Sequence, residues 1–242
     1  MGTLRPMAMR PHSERRPSTL MVVLAFSVAV AAAAALVVVA LLARNGNDAP
    51  APTPTPAVDL TGIPQQGTVL GAPAAKVTLI EYADLQCPAC RNYALNVFPA
   101  IVDANIRNGL VKTEFRGYPF IGSDSLKAQR FVLAAGLQSK LWQLQEALYR
   151  NQGRENEGWV TDELLRELAG EIPGLDVEKL FADAESDEIA AKAEAGFTEA
   201  QAAGIPGTPT FFVRIGDAEP YVLQTPSDSA SLQAALDDAL QG

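Results

Sequence analysis

The chain has 242 residues, with 19 basic and 28 acidic side chains and a formal net charge of −9 at pH 7. This acidic balance excludes most nucleic-acid binders, which need a cationic surface to meet the phosphates. The length suits one large domain or two small ones. With two cysteines and one histidine, the chain also has too few ligands for a structural zinc site.

The N-terminal part of the chain predicts a membrane anchor. Residues 20–43 contain one polar residue, Ser27, and as a helix they would reach about 36 Å, enough to cross a hydrocarbon core of about 30 Å. A cleaved signal peptide normally has a shorter apolar core of about 7–15 residues; cleavage after Ala40 is the alternative. Arginines are concentrated in residues 1–19, which predicts a cytoplasmic tail and an extracytoplasmic remainder.

A linker and a globular domain are predicted beyond the anchor. Residues 44–68 are rich in proline and favour an extended stalk. Residues 69–242 have the pattern of a folded domain. In it, residues 76–85 are mostly apolar, as in a strand buried on both faces. A helical pattern follows, and residues 110–120 predict a second strand, so that the three segments form a βαβ unit.

Within that first helical pattern, Pro99 predicts a kink and Gly109 predicts the end of the helix. A longer helical region then spans about 123–204. Leucine recurs at helical spacing at Leu137, Leu141, Leu144 and Leu148. This spacing predicts one amphipathic helix that reaches about residue 150, and Thr161 is a predicted N-cap of the next helix.

β-Rich segments return at residues 208–216 and 221–224, and a final helix is predicted over 229–240. The predicted order is therefore β-α-β, a helical insertion, and β-β-α, which is an α/β fold.

Both cysteines lie in the motif Cys87-Pro88-Ala89-Cys90, where a predicted strand passes into a predicted helix. As a structural staple, a disulfide closing so short a ring would contribute only about 2 kcal/mol. A papain-like nucleophile would need a histidine nearby, but His12 falls in the predicted cytoplasmic tail. The position instead favours redox chemistry.

The free N–H groups and dipole of the helix N-terminus favour a thiolate at Cys87 and lower its pKa. Pro88 suits the first turn because it has no N–H to leave unpaired. Cys90 follows about one turn later, close enough to form a disulfide with Cys87 and resolve a mixed disulfide.

Two further positions have both an ordinary and a functional interpretation. Glu81 lies six residues before Cys87 and is either an exposed edge-strand residue or a buried carboxylate that moves protons to and from Cys90. Pro209 precedes a strand and is either a trans loop proline or the second residue of a cis Thr208-Pro209 bond. A cis bond there would present the polar groups of Thr208 to a ligand strand.

Four segments of the sequence together resemble the DsbA-like thiol–disulfide oxidoreductases of the thioredoxin superfamily, and most of all their membrane-anchored bacterial branch. In chain order these segments are IPQQGTVLGAP, VTLIEYADLQCPAC, QSKLWQLQEALYRNQ and GIPGTPTFFV. The resemblance implies a thioredoxin fold with an inserted helical domain, preceded here by one transmembrane helix and a Pro-rich stalk. It covers roughly residues 63–242.

The resemblance also implies roles for individual residues. Cys87 would be the surface nucleophile and Cys90 the resolving thiol, and Glu81 occupies the place of the family's buried acid. Pro209 matches a cis-proline that faces the pair, and Thr208 the residue where substrate backbone docks. The strongest oxidants of the family have a histidine where this chain has Ala89, so this pair is expected to be less oxidising.

The sequence therefore predicts a membrane-tethered enzyme that forms disulfides in exported proteins. It would need no cofactor beyond the Cys87–Cys90 pair, and the family implies reoxidation by a quinone-linked membrane partner. One alternative is a reductase or isomerase on the same fold. Another, from a different class, is a tethered binding or chaperone module in which the disulfide is inert.

Overall fold

The computed structural model describes residues 57–223 and 228–242. The predicted cytoplasmic tail (1–19), the transmembrane helix (20–43) and most of the Pro-rich linker lie outside the described residues. Within the described ranges, no helix combines the length and the apolar character that crossing a membrane requires.

The centre of the domain is a sheet of six strands in the order β1-β2-β4-β3-β5-β6. The strands are β1 Gln65–Gln66, β2 Val69–Leu70, β3 Val77–Ala83, β4 Val111–Gly117, β5 Thr210–Ile215 and β6 Tyr221–Leu223. β3 pairs in parallel with β4 and antiparallel with β5. All seven residues of β3 are buried, which confirms the predicted strand with both faces covered.

The helical segment after β3 alternates between α and π geometry. It consists of α1 Pro88–Asn92, a π turn Tyr93–Val97, α2 Phe98–Ile101 and a second π turn Val102–Ile106. Pro99 lies in the first turn of α2, directly after the first π turn. Proline lacks the N–H of the regular helical hydrogen bond, and helices kink both at prolines and at π turns. Gly109, at φ +70°, follows the second π turn.

The remaining helices form the predicted insertion and the C-terminal helix. They are α3 Ser123–Leu137, α4 Leu141–Arg150, α5 Asp162–Gly170, α6 Val177–Ala184, α7 Asp187–Ala202 and α8 Ser229–Gln241. The Thr161 side chain accepts a hydrogen bond from the backbone N–H of Leu164, which confirms the predicted N-cap.

The prediction of one continuous leucine-lined helix was wrong in one respect. The chain breaks after Leu137 because Ser139 adopts a positive φ of 57°, a conformation that no helix continues through. Leu137 is consequently 48% exposed, whereas Leu141, Leu144 and Leu148 on α4 are fully buried.

The folded unit begins earlier than the sequence suggested. Leu60 and Ile63, which the sequence assigned to the linker, are buried in the main core, and β1 and β2 form a short hairpin that pairs with β4. The guanidinium of Arg107 donates to the carbonyl oxygens of Asp59 and Thr61 and holds this segment on the domain. Residues 57–68 therefore belong to the folded unit, and the domain boundary shifts toward the N-terminus.

Candidate active site

The two cysteines lie where β3 passes into α1. Cys87 is the N-cap of α1, with extended backbone angles (φ −72°, ψ 120°), and its sulfur accepts a hydrogen bond from the backbone N–H of Cys90 at 3.4 Å. The thiol of Cys87 donates to the carbonyl oxygen of Thr208 at 3.2 Å. Cys87 is 6% exposed and Cys90 is fully buried, so Cys87 is the more accessible of the two.

The surroundings of Cys87 lower the pKa of its thiol to about 6. The largest cause is the hydrogen bond from the Cys90 side chain; the Thr208 side chain and the backbone N–H groups of Cys90 and Ala89 act in the same direction, against the effect of burial. Burial raises the pKa of Cys90 well above its usual range, and its contact with Cys87 and the charge of Glu81 raise it further. Near neutral pH, Cys87 is therefore the thiolate and Cys90 the thiol.

The loop before β5 closes the site from the other side. The peptide bond between Thr208 and Pro209 is cis, as the resemblance implies. The antiparallel register of β3 and β5, in which Tyr82 pairs with Thr210, brings this loop to the end of β3 where the cysteines lie. The structure thus brings Thr208 and Pro209 beside the Cys87-Pro88-Ala89-Cys90 motif.

Glu81 is a buried carboxylate rather than an edge-strand residue. It lies on the central strand, paired with Phe115 on one side and Phe211 on the other, and is 1% exposed. Burial raises its pKa to about 8, with a further contribution from the charge of Cys87. A raised carboxyl pKa beside a redox pair suits proton exchange near neutral pH.

A narrow cavity adjoins Glu81. Tyr93, Trp142 and Gln145 line it together with the carboxylate, and it offers about 10 Å³ for the centre of a water molecule, close to the least that one water needs. Oε1 of Glu81 and the hydroxyl of Tyr93 are buried without a protein partner. The cavity is therefore polar enough to accept a water beside the carboxylate.

The helical insertion supplies two residues that the sequence interpretation did not single out. Tyr149, fully buried on α4, donates its hydroxyl to the carbonyl oxygen of Asp84 at 3.3 Å. Burial raises the pKa of Tyr149 well above its usual range, and the charges of both cysteines and Glu81 contribute. The side-chain amide of Gln152 donates to the carbonyl oxygens of Leu85 and Cys87. Both residues belong to the segment QSKLWQLQEALYRNQ.

A buried polar network fixes the loop between β3 and Cys87. The carboxylate of Asp84 accepts hydrogen bonds from the hydroxyl of Ser125 and the backbone N–H groups of Gln86 and Ile121. The side chain of Gln86 in turn donates to Ser125 and accepts from the backbone N–H of Asn156. Burial raises the pKa of Asp84 against the effect of these donors. The insertion therefore braces the loop that ends at Cys87.

All the predicted site residues thus meet in one place: Glu81, Cys87, Pro88, Ala89, Cys90, Thr208 and Pro209. Among residues 57–223 and 228–242, no group of three or more His, Cys, Asp or Glu side chains is placed to hold a metal ion.

Comparison with known proteins agrees with this architecture. A family model described as Thioredoxin matches residues 64–238. A curated protein from Bacillus anthracis named "Probable disulfide bond formation protein D" is 33% identical over 179 residues, which cover 71% of this chain and 77% of that protein.

Solved structures give the same result. The oxidised form of BdbD from Bacillus subtilis superimposes with a TM-score of 0.65 at 26% identity, covering 78% of this chain and 97% of that one. A thioredoxin-like oxidoreductase from Silicibacter pomeroyi gives a TM-score of 0.57 at 32% identity, covering 74% of this chain and 93% of that one. This chain belongs to the thioredoxin superfamily as a DsbA-like thiol–disulfide oxidoreductase.

Proposed function

We propose that Cys87 and Cys90 are the exchanging pair and that the enzyme forms disulfides in exported proteins. The observation that carries this proposal is the environment of Cys87. A helix N-cap, the Cys90 thiol and backbone N–H groups together lower its pKa to about 6. A thiolate this stable is a good leaving group, which favours transfer of the disulfide to a substrate.

The exchange proceeds in two steps from the oxidised pair. A substrate thiolate attacks Sγ of Cys87; a substrate–Cys87 disulfide forms, the Cys87–Cys90 bond breaks, and Cys90 takes the electron pair and a proton. The second substrate thiolate then attacks the substrate sulfur of the mixed disulfide, and Cys87 leaves as a thiolate. The substrate loses two electrons, and the enzyme pair gains them.

Glu81 supplies the proton that Cys90 needs in the first step. With a pKa of about 8, the carboxyl is protonated near neutral pH and able to donate. The raised pKa of Cys90 makes that sulfur the natural acceptor. In the reverse direction, the same carboxylate would take the proton from Cys90 before it attacks.

Thr208 and Pro209 hold the substrate backbone beside Cys87. While Cys87 is protonated, the carbonyl oxygen of Thr208 accepts a hydrogen bond from its thiol. A thiolate cannot donate, so ionisation of Cys87 releases this carbonyl for a backbone N–H of the substrate. Loss of the thiol proton and docking of the substrate strand would therefore favour each other.

The proposed setting is the outer face of a bacterial cell membrane. The apolar segment 20–43 would anchor the chain, with residues 1–19 in the cytoplasm and residues 44–56 as the linker to the catalytic domain. The curated relative from B. anthracis, named for disulfide bond formation, supports this role. Reoxidation by a quinone-linked membrane partner remains part of the proposal.

The redox equilibrium of full-length protein with glutathione tests the direction of electron flow. A potential near −120 mV would make the pair a strong oxidant despite Ala89, whereas about −270 mV would make it a reductase. No exchange with glutathione at all would contradict the catalytic role of the pair and favour the tethered binding module.

A further inference from the structure

Gln152 connects the helical insertion to the nucleophile's own backbone. It lies two residues beyond the end of α4, and its side-chain nitrogen is 2.9 Å from the carbonyl oxygen of Leu85 and 3.2 Å from that of Cys87. A primary amide has two N–H donors, and these two carbonyls use both. One side chain thus holds the two ends of the Leu85–Cys87 segment from a point 65 residues away in the chain.

The carbonyl oxygen of Cys87 is also part of the first turn of α1. As the N-cap carbonyl, it accepts the backbone N–H of Arg91 at 3.1 Å, the bond that begins α1. The amide of Gln152 and the first turn of α1 therefore meet on one oxygen atom, and together they fix the orientation of the Cys87 peptide. That orientation in turn sets the direction of the Cys87 side chain.

Other contacts hold the loop through Asp84 and Gln86. The carboxylate of Asp84 accepts from the N–H of Gln86, and the hydroxyl of Tyr149 donates to the carbonyl of Asp84. The backbone N–H of Cys87 also donates to the carbonyl oxygen of Asp84, at 3.0 Å. Among the hydrogen bonds of the described residues, the one from Gln152 joins a side chain of the insertion directly to the backbone of Cys87.

We propose that Gln152 is a positioning residue for the thiol–disulfide exchange, which holds Sγ of Cys87 where the N–H of Cys90 and the Thr208 loop meet it. The proposal rests on the proposed function of the Cys87–Cys90 pair. The contact from the Cys90 N–H to the Cys87 sulfur is already long, at 3.4 Å. A small rotation of the Cys87 peptide would therefore remove it.

Loss of the amide would act on the thiolate in two ways. The looser peptide would weaken the N–H donors that meet the sulfur, and the positive end of the amide dipole would be gone from the Cys87 carbonyl. Both changes disfavour the thiolate. A less stable thiolate makes the reduced pair less favourable and the enzyme a weaker oxidant.

The test is Gln152→Met, which keeps the length of the side chain but removes both donors. Gln138→Met is the matched control, because Gln138 also joins two segments through paired hydrogen bonds, with the backbone of Asp176, but away from the cysteines. Both variants are made in the full-length protein. Each is measured for the pKa of the Cys87 thiolate by ultraviolet absorbance and for its equilibrium constant with glutathione.

We expect Gln152→Met to raise the pKa of Cys87 by about one unit and to shift the glutathione equilibrium about tenfold toward a less oxidising pair. Gln138→Met should leave both unchanged. If Gln152→Met only lowers the melting temperature, or if Gln138→Met shifts both quantities equally, Gln152 has no positioning role. Should Gln152→Met not fold, Gln152→Asn, one methylene shorter, is subject to the same criteria. A parent protein that does not exchange with glutathione would instead overturn the proposed function.

Discussion

The sulfur of Cys87 lies 3.2 Å from the carbonyl oxygen of Thr208, although 121 residues separate them in the chain. The contact exists because β3 and β5 are antiparallel neighbours, so that the last residues of β3 and the first residues of β5 lie side by side at the same end of the sheet. The nucleophile and the backbone that would bind its substrate are thereby fixed to the same two strands. Their relative position depends on this strand pairing and on the hydrogen bonds that brace the loop between β3 and Cys87.

The pH dependence of Cys87 alkylation should reveal a thiol with a low pKa. We expect alkylation of the reduced protein to follow a titration with a midpoint near pH 6, and the Cys87→Ser variant to react far more slowly because Cys90 is buried and its pKa is raised. The measurement is the iodoacetamide rate against pH. A midpoint near 8.5, the value of an ordinary cysteine, would contradict the thiolate assignment.

The buried carboxyl of Glu81 should make folding stability depend on pH. Its pKa rises from 4.5, the ordinary value of a solvated glutamate, to about 8 in the fold, so the folded protein binds more protons between these values and stability falls as pH rises. The penalty is absent below pH 4.5 and reaches about 3–5 kcal/mol at pH 8. Glu81→Gln removes it.

Denaturant unfolding of the reduced protein at several pH values measures this effect. The advantage of Glu81→Gln over the parent should grow from pH 4.5 to pH 8 and then level off. The matched control, Glu194→Gln on α7, removes a carboxylate from an exposed position rather than from the core. A stability difference that stays constant with pH would show that Glu81 is not protonated in the fold.

The same variant should slow catalysis. Without a proton donor for Cys90, we expect the rate of disulfide transfer to a model dithiol peptide to fall about 100-fold near neutral pH, within the usual range for loss of an acid–base group. The redox potential should change less than the rate. An unchanged pH–rate profile would mean that protons reach Cys90 by another route.

The sequence predicts the cysteine site more completely than its surroundings. Cys87, Cys90 and Glu81 are neighbours along one strand–helix junction, so local patterns place them together. Tyr149 and Gln152 reach the site only because α4 packs against it. Their residue types are compatible with any helix end, so no local pattern in the chain identifies their contacts.

The fold shows the same contrast between local and tertiary signals. The strand β3 has a long apolar run, and its prediction was confirmed. By contrast, β1 and β2 have two residues each, which is too short for an alternating pattern. The break after Leu137 depends on the backbone of Ser139, and serine gives no strong signal for a positive φ.

The network around Asp84 should contribute measurably to stability. Ser125 is fully buried, and its hydroxyl donates to Asp84 and accepts from the side chain of Gln86. Ser125→Ala removes one donor from the buried carboxylate of Asp84 and one acceptor from the amide of Gln86, so we expect the free energy of unfolding to fall by about 1–3 kcal/mol. Ser123→Ala, at an exposed position on the same helix, should change it by less than about 0.5 kcal/mol. Equal effects of the two substitutions would contradict a structural role for the network.

Two glycines, one on α7 and one at the end of β4, let the insertion approach the sheet closely. A Cβ atom at Gly196, in the middle of α7, would lie 2.8 Å from the carbonyl oxygen of Gly117, the last residue of β4. The side-chain nitrogen of Gln129 donates to the same oxygen and would itself lie 3.1 Å from the new Cβ atom, so the position is crowded from two sides. We expect Gly196→Ala to lower the free energy of unfolding by about 1–3 kcal/mol, although alanine is the better helix former.

Gly170→Ala is the control that measures the effect of alanine's helix propensity where no backbone lies close. A Cβ atom at Gly170, the last residue of α5, would meet nothing within 4 Å, so this substitution should leave stability unchanged or raise it by up to about 1 kcal/mol. Urea unfolding of both variants gives the comparison. If Gly196→Ala were as stable as Gly170→Ala, α7 would have to lie farther from β4 than the structure places it, and the end of β4, beside the cysteine loop, would be less tightly braced.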